Sequence, residues 1–148
     1  MIYRICIALL LCAFLQPAMT QSLSEHQWQD RVILVFSPDL TRNFYQQQMK
    51  LLKSDPLGLV DRDLVLYQIF ENYAETPSAE QLLPNQILEF WNTYNPGKQP
   101  FLVVLIGKDG TEKLRSQRPI SLEKLYSTID AMPMRRREVR ARGTDQKN

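Results

Sequence analysis

The sequence predicts a single α/β domain built on a central mixed sheet with helices on its flanks. Three observations carry that reading. Apolar, β-branched runs recur at Arg31–Phe36, Leu64–Phe70 and Phe101–Ile106, as in strands buried on both faces. A stretch of helical periodicity separates each from the next. A tight Gly107–Lys108–Asp109–Gly110 turn then leads into a more polar strand. A long crossover between apolar strands implies a parallel, right-handed pair, and a tight turn implies an antiparallel one.

The elements follow in order. Residues 1–20 hold one charge, Arg4, and then an unbroken apolar run from Ile5 to Leu15. A basic start, a short apolar centre and a polar exit predict a secretory signal peptide cut near Thr20. The run is shorter than the roughly 20 residues that span a bilayer. Residues 21–30 form a polar lead-in whose Trp28 is expected to pack on the domain. After the first strand, Asp39 or Thr41 is placed to cap a helix through Lys53, with Phe44, Tyr45, Met49, Leu51 and Leu52 inward and Gln46–Gln48 mainly outward. Ser54 to Gly58 reads as a turn. Ser78–Gln81 has the pattern of a capping box, and Pro84 to Tyr94 that of a helix with Ile87, Leu88, Trp91 and Tyr94 inward. The strand at Thr111–Ser116 is expected at the sheet edge. Ser121 caps a last helix whose Leu122, Leu125, Ile129 and Met132 form one stripe. The domain is thus expected over 31–134, with a basic C-terminal extension over 135–148.

This element order is that of the thioredoxin core. Gln99–Pro100, just before the third strand, resembles the place where such folds hold a cis-proline. Redox members carry Cys-x-x-Cys after the first strand, where this chain reads Ser37–Pro38–Asp39–Leu40–Thr41–Arg42. The two cysteines, Cys6 and Cys12, both lie in the apolar run, so the exported form is expected to contain none. Thiol exchange needs a thiolate, and thiol oxidoreductase activity is therefore not expected. The single histidine, His26, sits in the lead-in and does not supply a zinc site or a triad base.

Charge is uneven. Residues 21–130 carry 11 basic and 14 acidic side chains, whereas 131–148 carry six basic and two acidic. Two polar clusters stand out as candidate binding or structural sites. Asp61–Arg62–Asp63 precedes the second strand, and Arg135, Arg136 and Arg137 open a run with five arginines in nine residues, Met134–Arg142. The second reads either as an arm for anionic glycans or lipid surfaces or as a clamp pairing with Asp61 or Asp63. The first arginines suit the clamp, and Arg140 and Arg142 suit solvent.

The segments Leu34–Met49, Gly58–Leu64 and Ile129–Glu138 resemble an uncharacterised thioredoxin-like domain of secreted bacterial proteins, the P-DUDES group. That domain also occurs in vertebrate sushi-repeat and coiled-coil-named matrix proteins. The resemblance implies the fold and an interaction or adhesion role outside the cytoplasm. The expected function is a non-redox binding module. The alternatives are a carboxylate- or metal-dependent enzyme built on Asp61 and Asp63, or a factor that holds peptides near Pro100. No cofactor and no nucleic-acid partner are expected; an anionic glycan, a lipid surface or an envelope protein is.

Overall fold

The computed structural model describes residues 21–145, so the expected signal peptide lies outside the described residues. The elements run α1 (Gln21–Ser24), β1 (Arg31–Phe36), α2 (Asn43–Lys53), α3 (Pro56–Asp61), β2 (Leu64–Ile69), β3 (Ala74–Glu75), α4 (Pro84–Tyr94), β4 (Leu102–Ile106), β5 (Glu112–Ser116), α5 (Leu122–Asp130) and α6 (Pro133–Asp145).

The sheet order is β3-β2-β1-β4-β5. β1 pairs parallel with β2 and antiparallel with β4, and β5 closes the far edge antiparallel to β4. The apolar runs are continuous because both faces are covered. Ile33 and Val35 face α2 and α5 with Tyr45, Met49, Leu52, Leu125 and Ile129. Val32, Leu34 and Phe36 face α4 with Ile87 and Phe90. Each such side chain taken from water contributes about 1.5–3 kcal/mol, so β1 and β4 anchor the fold. Helix α5 starts where expected, with Ser121 Oγ accepting from Lys124 N–H at 3.2 Å.

Several local expectations are corrected. Ser54–Gly58 does not simply turn: Asp55 caps α3 by accepting from Gly58 N–H, and Pro56 fills the first helical position. A Cβ on Gly58 would overlap the Asp55 carboxylate and lie 2.6 Å from the Tyr126 hydroxyl, so any larger residue there would displace the capping side chain of Asp55. Helix α2 begins at Asn43 after an uncapped Arg42, because the Asp39 carboxylate is already held by Thr41 N–H at 2.8 Å and the Thr41 hydroxyl. Gln48 is buried, since its amide brackets the backbone of Ile120 by accepting from its N–H (2.7 Å) and donating to its carbonyl. The helix-start bond expected at Ser78–Gln81 is found instead at α4, where Gln86 Oε1 accepts from Leu83 N–H at 2.7 Å. Helix α4 buries Phe90 and leaves Leu88 exposed. Trp28 is 63% exposed. The Gln99–Pro100 bond is trans, as are all peptide bonds among the described residues. The chain there is turned by Lys98, at φ 47°, and by Asn95, whose side chain accepts from Gln99 N–H and donates to Gln99 O.

Candidate functional site

The candidate site lies at the amino end of β1, where a charge begins an otherwise apolar strand. Arg31 is 0% exposed. Its backbone N–H donates to Asp63 O at 2.7 Å, and Nη1 donates to Arg62 O at 2.9 Å. Nη2 donates to both Glu138 oxygens, at 3.1 and 3.2 Å. Lys108, presented by the β4–β5 turn, donates from Nζ to Asp63 (2.8 Å) and lies 3.0 Å from Glu138. That turn closes through Gly110 at φ 77°, a conformation glycine adopts without strain. Burying a guanidinium without such partners would be strongly unfavourable, so Glu138 on α6 is what permits Arg31 to begin the central strand.

A second ring of pairs surrounds the first. Arg135, 4% exposed, donates to the Asp61 carboxylate, to Asp61 O (2.7 Å) and to Asp130 (3.2 Å). Arg142 reaches Asp61 Oδ1 at 2.6 Å. Arg62 makes a two-pronged pair with Asp130, at 3.1 and 2.7 Å, while its guanidinium lies 4.0 Å over the Tyr126 ring. Glu138, Asp61 and Asp130 all have pKa values held below the ordinary carboxylate range. Burial works to raise each, and the hydrogen bonds and charges of the neighbouring arginines, with Lys108 at Glu138, outweigh it. These three carboxylates are fixed acceptors, a poor starting point for general acid–base work.

Of the residues expected to form a site, Asp61, Arg62, Asp63 and Arg135 are brought together, while Arg136 and Arg137 point outward and are exposed. Arg142, expected in solvent, joins the cluster. Arg31, Lys108, Asp130 and Glu138 complete it. Among the described residues no group of three His, Cys, Asp or Glu is placed to hold a metal.

The opposite end of β1 carries the Ser37–Arg42 loop. Ser37 is buried and donates to Asp39 O at 2.8 Å. Arg42 pairs with Asp39 at 3.1 Å. Tyr45 donates to Gln68, and burial, helped by the charge of Glu75, pushes its phenol up to about 12. Nothing in this loop is a ready nucleophile. Pro100 stands across from it, sharing with Pro38, Leu88 and Trp91 a cleft of about 350 Å³. His26, expected in a loose lead-in, is instead pinned: Nδ1 lies 2.8 Å from Asp30 Oδ2 and Nε2 2.8 Å from the Tyr67 hydroxyl.

A family model described as a domain of unknown function, DUF4174, matches residues 22–138. The chain belongs to the DUF4174 family. The matched span includes Arg31 and Glu138, the two ends of the buried pair. Similar proteins include coiled-coil domain-containing protein 80 of Danio rerio, 29% identical over 79% of this chain. Sushi repeat-containing protein SRPX2 of Homo sapiens is 26% identical over 73% of it. The chain spans only 15% and 24% of those two relatives' lengths. A reduced 2-Cys peroxiredoxin of Plasmodium vivax superposes with a TM-score of 0.54 at 17% identity, covering 74% of this chain and 80% of that one. That likeness shows the thioredoxin fold for this DUF4174 chain.

Proposed function

We propose that this DUF4174 chain is an exported, non-redox interaction module whose C-terminal helix engages an anionic partner. One observation carries the reading: α6 divides its arginines between two faces. Arg135 and Arg142, with Glu138, turn inward and lock the helix to the fold. Arg136, Arg137 and Arg140 are exposed and, at helical spacing, fall on one outward stripe. A row of exposed guanidinium groups on a helix that is itself locked to the fold has anions as its natural complement. The basic, apolar residues 1–20 and the absence of cysteine beyond residue 12 support export and a role other than thiol exchange. Retention on immobilised heparin, a convenient polyanion, tests it. Arg136→Glu with Arg137→Glu is expected to abolish retention with an unchanged melting temperature. Unchanged retention overturns the proposal.

A second reading, a holder of extended peptides, is favoured by the apolar cleft between Pro38 and Pro100. Leu88→Asp should weaken capture of unfolded clients if that reading holds.

A further inference from the structure

Four of the large apolar side chains that remain exposed are carried by segments around the ionic cluster. Trp28 is 63% exposed, Leu57 79%, Val60 71% and Val139 51%. The connections between these segments are short. Asp61, next to Val60, is bonded to Arg135 and Arg142 of α6. Trp28 N–H donates to Lys108 O at 2.6 Å, and the Lys108 ammonium pairs with Glu138, next to Val139.

Trp28 is also held in a costly conformation. Its φ of 68° is left-handed, a region that disfavours a bulky side chain. The lead-in fixes it there: Asp30 N–H and Gln29 N–H both donate to His26 O, while the His26 ring is anchored to Asp30 and Tyr67. An exposed tryptophan on a left-handed, hydrogen-bonded backbone, one contact removed from the residue that pairs with Glu138 of α6, is not explained by packing.

A purely polyanionic chain would reward the arginines and leave the apolar side chains in water. An anionic bilayer surface rewards both, since headgroup phosphates attract Arg and the acyl boundary takes Trp and aliphatic groups. We infer that this end of the molecule is a peripheral docking face for an anionic phospholipid surface, with Arg136 and Arg137 at the headgroups and Trp28, Leu57 and Val60 at the acyl boundary. The inference rests on the proposed anionic role of α6 and names its partner.

The test uses the full chain with vesicles of phosphatidylcholine, with and without phosphatidylglycerol. In a Trp91→Phe background the remaining tryptophan emission reports Trp28. Binding to the anionic vesicles is expected to blue-shift that emission and to be quenched by lipids brominated near the headgroup. Trp28→Ala, or Leu57→Ser with Val60→Ser, should weaken vesicle binding about tenfold and leave heparin retention unchanged. Arg136→Glu with Arg137→Glu should weaken both by about tenfold or more. Heparin retention without vesicle binding overturns the lipid inference and leaves the proposed function standing. Loss of neither by the arginine pair overturns both. Vesicle binding that survives all three variants belongs to the apolar run Ile5–Leu15 and also overturns the inference.

Discussion

The two ends of β1 differ in what they do with polarity. At the carboxyl end, Ser37, Asp39, Thr41 and Arg42 satisfy one another within a few residues of sequence. At the amino end, Arg31, Asp61, Asp63, Lys108, Asp130, Arg135 and Glu138 are drawn from five segments of the chain and pair with one another only in the folded state, with the buried Arg31 Nε left without a hydrogen-bond partner. Redox members of the thioredoxin fold put their chemistry at the first of these ends. In this chain the more elaborate construction is at the second. The difference teaches that a shared scaffold does not fix where a chain concentrates its polar groups: the same strand can carry them at either end.

The contrast is broken most severely at Arg31. Arg31→Met leaves Glu138 and Asp63 without their deepest partner, and urea unfolding should show a loss of about 3–5 kcal/mol, or failure to fold. A loss below 1 kcal/mol would mean that the amino end is not a structural lock. Next comes Arg135→Ala. Its acceptors Asp61 and Asp130 are partly solvated, so about 1–3 kcal/mol is expected, together with faster proteolysis within α6. Arg136→Ala should stay within about 0.5 kcal/mol, and the double variant should match Arg135→Ala alone.

Acid provides a third, gentler probe. Folding lowers the pKa of Asp61 and Asp130 from 3.8 and of Glu138 from 4.5. The unfolded chain therefore binds more protons in that range. The stabilisation is present in full above those ordinary values and is lost as pH falls through the lower folded ones. Melting temperature followed downward from pH 6 should drop through this window, and Glu138→Gln should blunt the drop. A flat profile would contradict the assignment. The smallest effect belongs to the other end. Ser37→Cys should change stability by no more than about 1 kcal/mol and should confer no reduction of insulin disulfides, since no base or partner thiol stands beside it. Measurable reduction would show that this end kept more of its redox architecture than the loop indicates.

Much of the fold was legible. β1, β2 and β4 follow from mainly apolar runs, interrupted in β2 by Gln68, α5 from Ser121 and its stripe, and the edge position of β5 from its charges. The errors have identifiable causes. Asp55–Pro56 was read as a stop, although Asp followed by Pro is also the pattern of a cap and a first helical residue. In α4 the inward face of Ile87, Trp91 and Tyr94 is as expected, and the error is confined to Leu88, which is exposed, and Phe90, which is buried. Gln48 looked like a surface residue because its partner, Ile120, lies 72 residues away. The site was half legible for the same reason. Asp61–Arg62–Asp63 and Arg135 announce themselves as local clusters. Arg31 and Lys108 do not, because nothing within a few residues of either says that a glutamate near the end of the chain will cover them. A charge at the head of a strand buried on both faces was the available signal.

The pairing of Arg31 with Glu138 also sets a timetable. The two residues are separated by 107 positions, and they join the start of the first strand to the last helix. On a ribosome, β1 is made early and Asp63 soon after it, yet the leading guanidinium has only that distant carboxylate, 3.9 Å away, until α6 brings the two oxygens of Glu138. That pair spans nearly the whole domain in sequence, so it can form only when the α6 segment is present. A chain that ends before residue 138 therefore lacks more than a tail: it lacks the hydrogen-bonded carboxylate of its own first strand.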